Sequence, residues 1–398
     1  MGLLLCVSQQ ENTQPYRFSV TGIQAYTFEE ILYHVYNYWK QSVDDVTSPH
    51  LVAWVHDTLG LPFVAAKIKQ AAAIENFSER MLAFLRASEY FDEPQLAAIR
   101  PNFERWEKRL EWETYKERAD DLAKRGEPEK AIPLYRRALQ YDENVPVFNN
   151  LGAAYMQIDL HNEAADAFAR ALQLDAENWQ LVLNYGEALI AAGRLDDGKR
   201  AINRATAIAP KSAIGDILYL RAELSLKLGQ SPNAISYFEQ AIAVSSEAHY
   251  VFRLADTYAL QRQFEKALDT LGKFNARLTK SGKSGKNEQI LFCYMKEAEI
   301  HALADNLHGA ILAIKKATQI RPGSEELWIR LAKYHRLNYD LPSADNAIRK
   351  ALDLDGGNHR ARLENARIQK SMGHTKTYQQ LLKGILGEFK ARYRDVYG

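Results

Sequence analysis

The sequence predicts a mostly α-helical solenoid of about eight helix-turn-helix units, preceded by a small mixed domain that is mainly helical with a short β-ribbon. Three observations predict it. A helical pattern returns roughly every 33 to 36 residues from about Trp112 onward. Small residues recur at fixed places inside it. Gly or Pro stands where a helix has to stop.

The clearest copies read Phe148-x-x-Leu151-Gly152-x-x-Tyr155, then Ala164, Phe168 and Ala171, and again Trp328-x-x-Leu331-Ala332, then Ala344, Ile348 and Ala351. Units start near Trp112, Val145, Trp179, Gly215, Ala248, Leu291, Glu325 and His359. In the last, Tyr378 stands where a small residue belongs and a polar, basic end follows, as expected of a cap. One small position runs through Gly152, Gly186, Ala222, Ala255, Ala298, Ala332 and Ala366. A second runs through Ala131, Ala164, Ala234, Ala267, Ala310 and Ala344, and a third through Ala138, Ala171, Ala205, Ala241, Ala317 and Ala351. These are places where antiparallel helices come close, and large residues such as Tyr135, Phe168, Phe238 and Ile348 fill the gaps between them. Gly126, Gly193, Gly229 and Gly373 fall at the end of first helices, and Pro210 and Pro322 just after second helices.

On these residues the segment resembles the tetratricopeptide-repeat family, over about 285 of the 398 residues. The resemblance implies a right-handed superhelix that binds peptides or proteins in a concave groove lined by the first helix of each pair. It also implies a non-enzymatic scaffold or adaptor. Chaperone adaptors of this family hold a terminal carboxylate with Lys and Asn on successive first helices. Lys116, Asn150 and Asn184 are partial echoes of that clamp, while Asp120 departs from it.

The division expected is an N-terminal domain over 1–111 and a repeat array over 112–398. In the first part, Leu3–Val7 and the alternating Tyr16–Val20 read as two strands that pair. Thr27 with Glu30 forms a capping box opening a helix through Trp39, and Ser48 with Pro49 opens another near His50. Asn76 with Glu79 and Asp92 before Pro94 open two more. From Glu93 to Lys124 the pattern stays helical apart from Pro101. Tyr33, Tyr36, Tyr38 and Trp39 read as core aromatics. The alternative is a small-molecule sensor or enzyme in this domain, with His34, His50 and His56 nearby, targeted by the repeats.

Charge is balanced, 51 basic against 50 acidic residues, which leaves no global field for nucleic acid or an anionic membrane. Cys6 and Cys293 are too few and too far apart for a disulfide scaffold or zinc site, and point to a cytoplasmic setting. No span of membrane length and no secretory leader is read. Gly282-Lys283-Ser284 lacks the glycine and strand of a phosphate loop and reads as part of an exposed basic loop over Thr279–Lys286. No metal-ligand spacing or nucleophile elbow appears, so neither enzymatic activity nor a cofactor is expected.

That leaves the first-helix wall as the candidate site. Counting from each unit's start, positions 2, 5, 6, 9, 12 and 13 face inward on helical spacing. They place Asn149, Asn150 and Asn184 in the early units, where an amide both donates to and accepts from a peptide backbone. Later units put Arg253, Lys296, Arg330, Lys333, Arg336 and Arg367 there, with Arg360 and Lys370. The expected ligand is an extended, acidic peptide or a partner helix. Asp256, Glu299, Glu326 and Glu364 interrupt the stripe, so self-pairing of the wall stands beside anion binding.

Overall fold

The computed structural model describes residues 14–280 and 286–397. The chain divides into two compact units, Met1–Ile208 and Ala209–Gly398.

The first unit opens on a hairpin, β1 (Tyr16–Arg17) antiparallel to β2 (Gln24–Ala25), with Tyr16 opposite Ala25. The strand expected over Tyr16–Val20 is therefore cut short and pairs forward. Gly22 adopts φ +70° and its N–H donates to the Phe18 carbonyl, which turns the chain back at once. Leu3–Val7, the partner expected from sequence, lies outside the described residues.

The Thr27–Glu30 capping box starts α1 (Phe28–Asn37) as expected. The helix does not run through Trp39. Tyr38 leaves helical geometry, and α2 (Trp39–Val46) starts anew. Ser48 caps α3 (Pro49–Ala53), which continues into a single π-helical turn, Trp54–Thr58. α4 (Pro62–Ala72) was not marked by any cap in the sequence and opens on proline alone. Asn76 caps α5 (Phe77–Leu85), and a capping box of Asp92 and Gln95 starts α6 (Glu93–Glu107). Pro101 sits inside α6, where burial of Leu96, Ile99, Phe103 and Trp106 along one face holds the helix together. The interruption comes instead at residues 108–110, where the Glu113 carboxylate accepts from the Leu110 N–H and starts the next helix.

These elements enclose one aromatic core. Trp39 packs edge-on against Phe103 and Trp106, with ring centroids 5.1 Å away in each case. Tyr36 stacks on Phe91, whereas Tyr33 is 44% exposed and takes no part in the core.

Helical hairpins follow. The first unit has α7 (Glu111–Lys124) with α8 (Pro128–Tyr141), α9 (Val145–Gln157) with α10 (His161–Leu174), and α11 (Trp179–Ala191) with α12 (Leu195–Ile208). The second has α13 (Ile214–Lys227) with α14 (Ser231–Val244), α15 (Ala248–Leu260) with α16 (Phe264–Lys280), and α17 (Asn287–Leu303) with α18 (Leu307–Ile320). It closes with α19 (Glu325–Leu337) and α20 (Leu341–Leu354), then α21 (His359–Ser371) and α22 (Thr375–Tyr397). Starts match the repeat count within a residue except at the sixth, which begins at Asn287 rather than Leu291. The extra turn brings Ile290 against the cluster of Phe274 and Leu278. Most of the loop expected over Thr279–Lys286 lies outside the described residues.

The small-residue positions are buried where helices meet. Ala131, Ala164, Ala234, Ala267, Ala310 and Ala344 are fully buried, as are Ala138, Ala171, Ala205, Ala241, Ala317 and Ala351. At Gly152 a Cβ would fall 2.7 Å from the Phe168 ring, so no larger residue fits without displacing it. Eight residues end the first helices with positive φ. Four are Gly126, Gly193, Gly229 and Gly373; the others are Asp159, Arg262, Asp305 and Tyr339.

Candidate functional site

The hairpin register decides where each wall residue goes. First helices of successive hairpins lie side by side within each unit, as α7, α9 and α11 do, and as α15 with α17 and α19 with α21 do. A side chain at position 9 of one hairpin then faces position 6 of the next.

In the first unit this register joins Asp120 to Asn150, and Asn149, at position 5, carries a ladder of amides on to Asn184. Asp120 accepts from Asn150 Nδ2 at 2.8 Å, from Tyr135 Oη at 2.7 Å and from Lys116 Nζ at 2.7 Å. Asn149 Nδ2 donates to Asn150 Oδ1 at 3.3 Å, and Asn184 Nδ2 donates to Asn149 Oδ1 at 2.9 Å. All three asparagines are half-buried. Burial and the Asp120 bond push the Tyr135 hydroxyl well above its ordinary range. Of the clamp echo, then, Lys116 and Asn150 both turn onto Asp120 and Asn184 onto Asn149.

In the second unit the same geometry carries charge. Arg253 grips Glu223 with two bonds of 2.6 Å, and those bonds to Glu223 outweigh burial and raise its already high pKa. Lys296 reaches Asp256 at 2.9 Å and Glu299 at 3.7 Å. Arg330 spans Glu299 at 2.7 Å and Glu326 at 2.9 Å. Burial alone would lower it, and the two hydrogen bonds reverse the sign. In the last pair both polarity and register change: Glu364, 3% exposed, takes position 6 and accepts from Arg336, at position 12, at 2.6 Å and from Arg367 at 3.2 Å. Arg360 meets Glu326 at 3.2 Å. Lys333 and Lys370 are exposed and make no ion pair among the described residues, although Lys370 lies 5.5 Å from the Tyr378 ring.

Sequence reasoning found the donors and did not find what they are spent on. It passed over Glu223, and it missed the apolar stretch at positions 2 and 5, where Phe252 meets Phe292 at 4.6 Å and Phe292 stays 41% exposed. The signal for the first was present: an acid at position 9 followed one repeat later by a base at position 6, as in Glu223 with Arg253, Asp256 with Lys296 and Glu299 with Arg330.

Among the described residues no three His, Cys, Asp or Glu side chains are grouped to hold a metal, and no helix is long and apolar enough to cross a membrane. His34 is buried, bonded to Thr21 Oγ1 at 3.1 Å, and burial lowers its pKa to about 4. His50 packs on Tyr16 and His56 pairs with Asp57, so the three histidines converge on no common point.

Comparison with known proteins points the same way as the repeat. One tetratricopeptide-repeat family model matches residues 159–224, and a second of the same description matches 116–178 and 219–273. The chain is 26% identical over 247 residues to the Arabidopsis thaliana protein CTR9 homolog, covering 58% of this chain and 21% of that protein. It is 29% identical over 222 residues to the Macaca fascicularis antiviral innate immune response effector IFIT1, covering 50% and 42%. To the human protein RRP5 homolog it is 25% identical over 118 residues, covering 30% and 6%. The matched stretch spans less than half the length of each of these relatives. Among solved structures, the Cut9–Hcn1 hetero-tetramer of APC/C matches 86% of this chain and 60% of that one at 14% identity and a TM-score of 0.41. Pseudomonas aeruginosa PilF matches 56% and 96% at 16% identity and a TM-score of 0.37.

Proposed function

Residues 116–273 belong to the tetratricopeptide-repeat family, and from that premise we propose that the protein is a non-enzymatic, cytoplasmic scaffold whose first-helix wall holds an extended acidic peptide or the acidic face of a partner helix. The observation that carries this reading is the wall of the second unit. Its paired cations are held in place by carboxylates on their own and neighbouring helices, so an acidic ligand can exchange for a carboxylate there without further loss of side-chain freedom. Lys333 and Lys370 add positive charge that no carboxylate among the described residues offsets. Phe292, beside Phe252, offers an apolar anchor on the same helices. A ligand that suits this wall carries acidic residues and one bulky apolar side chain.

The test is capture of partners by the full chain and by a Lys333→Glu, Lys370→Glu variant at low and moderate salt. Both positions are exposed, so the reversal leaves the hairpins intact. The reading expects a partner that binds the unaltered chain, is lost from the variant and weakens with salt. Partners retained equally by both would sink the charged-wall assignment.

A further inference from the structure

A cleft in the first unit takes no part in the wall ladder. It lies among α2, α6 and α7, encloses about 400 Å³, and is lined by Lys40, Gln41, Arg105, Trp106, Arg109 and Arg125 with Glu117 and Asp121. That volume is within the range that holds a small molecule.

Its charges do not balance. Lys40 Nζ reaches Glu117 at 2.7 Å and Asp121 at 3.2 Å, and Arg109 pairs with the other oxygen of Glu117. Burial would lower Lys40, but its bonds to Glu117 and Asp121 outweigh that and hold it above its ordinary value. Both carboxylates are thus taken by two of the four cations. Arg105 has only neutral acceptors, Asn102 Oδ1 at 2.6 Å and the Pro101 carbonyl at 3.3 Å. The Arg125 guanidinium lies 4.6 Å from the Tyr38 ring centroid. Neither makes an ion pair among the described residues.

A second, independent feature is a buried acceptor. Gln41 is 1% exposed, and its Nε2 donates to the Arg118 carbonyl at 3.1 Å. Its Oε1 has no donor among the described residues. A buried acceptor left unmade costs about 1–3 kcal/mol, and Gln41 is among the residues that line the cleft, so a small turn of its amide toward a polar ligand would recover that cost. Guanidinium groups, in turn, match the planar geometry of oxyanions.

We propose that this cleft binds a small ligand carrying an oxyanion, phosphoryl or carboxylate, together with an O–H or N–H donor. The oxyanion sits with Arg105 and Arg125, and the donor reaches Gln41 Oε1. Trp106 closes the apolar side of the site. None of the residues proposed to hold a peptide takes part.

The experiment titrates the full chain by calorimetry with glycerol 3-phosphate and, separately, with malate, against sodium chloride of equal ionic strength. Each probe pairs a hydroxyl donor with one type of oxyanion. At least one is expected to bind saturably. A response to glycerol 3-phosphate alone assigns a phosphoryl ligand and a response to malate alone a carboxylate. In an Arg105→Ala, Arg125→Ala variant the dissociation constant is expected to rise at least tenfold. If that variant melts early, Arg105→Lys with Arg125→Lys replaces it, keeping the charge but not the fork, with several-fold weaker binding expected. The assignment is overturned if neither probe saturates, if chloride gives the same heat, or if the variant binds as tightly as the unaltered chain.

Discussion

The walls of the two units solve one geometric problem with different chemistry. In both, neighbouring first helices bring position 9 of one hairpin opposite position 6 of the next. The first unit fills these places with Asp120 and Asn150 and adds a link from Asn149, at position 5, to Asn184, and the second fills them with Glu223, Arg253, Asp256, Lys296, Glu299 and Arg330. The comparison teaches that the repeat requires the pair to be satisfied and leaves its charge free to vary. Half-buried polar groups left without partners cost more than either kind of pair contributes.

The largest effect expected from breaking one of these pairs is at Glu364. Glu364→Ala leaves the half-buried Arg336 without its partner while the exposed Arg367 is solvated, which is expected to cost about 2–3 kcal/mol, below the full cost of stranding a buried charge. The equivalent break in the amide wall, Asn150→Ala, removes a neutral donor from an Asp120 that keeps Tyr135 and Lys116. It is expected to cost about 1 kcal/mol. Urea unfolding of both variants measures the difference, and equal losses would mean that the two walls are held by something other than these pairs.

Acid sharpens the contrast from the other side. His34 titrates near 4 in the fold, against about 6.5 when unfolded, so the unfolded chain takes up the proton first. Stability from this group is complete above about pH 6.5 and is lost as pH falls through 4. A loss of about 2 kcal/mol, discounted for partial solvent access, is expected between pH 7 and 4. Melting followed by the fluorescence of the Trp39 and Trp106 core reads it. A core that holds its melting temperature down to pH 4 would contradict the shift.

The smallest effect concerns the turns. Of the four non-glycine residues at positive φ, Arg262, Asp305 and Tyr339 belong to the second unit and only Asp159 to the first. Tyr339 is 89% exposed, so its side chain packs little. Left-handed backbone costs an ordinary residue about 1–2 kcal/mol, and glycine gives part of that back in unfolded-state entropy. Tyr339→Gly is expected to stabilise by about 0.5–1 kcal/mol in the same urea measurement. No gain would show that the strain is already relieved locally.

The repeat was legible in the sequence because close packing leaves no choice of residue size. Gly152 facing Phe168, and the buried alanines behind it, print the hairpin spacing directly on the chain. Caps were legible for a similar local reason at Thr27, Asn76 and Asp92. α4 was missed because it opens without a side-chain cap, and the break after α6 was misplaced because proline is tolerated wherever packing outweighs one lost hydrogen bond. The wall was legible only by position. Asn149, Asn150 and Asn184 were read as donors for a peptide, yet each donates to a neighbour in the fold. That exchange joins residues up to 35 apart in sequence, and no single helix displays it. The cleft of Arg105, Arg125 and Gln41 was invisible for the same reason, since three separate helices build it.

The glycine turns have a practical consequence. At Gly126, Gly193, Gly229 and Gly373 a Cβ would meet nothing within 4 Å, so these hairpin corners look into open space. They therefore mark corners, spaced along the chain by whole repeats, where a probe or tether on a neighbouring exposed residue has room, while the glycines themselves keep their positive φ. Cys293 is buried and its thiol is pushed up to about 12, so it competes poorly for a labelling reagent. With Cys6 replaced by serine, a cysteine introduced beside any of these corners would take the label, and pairs of them would turn each unit into a molecular ruler.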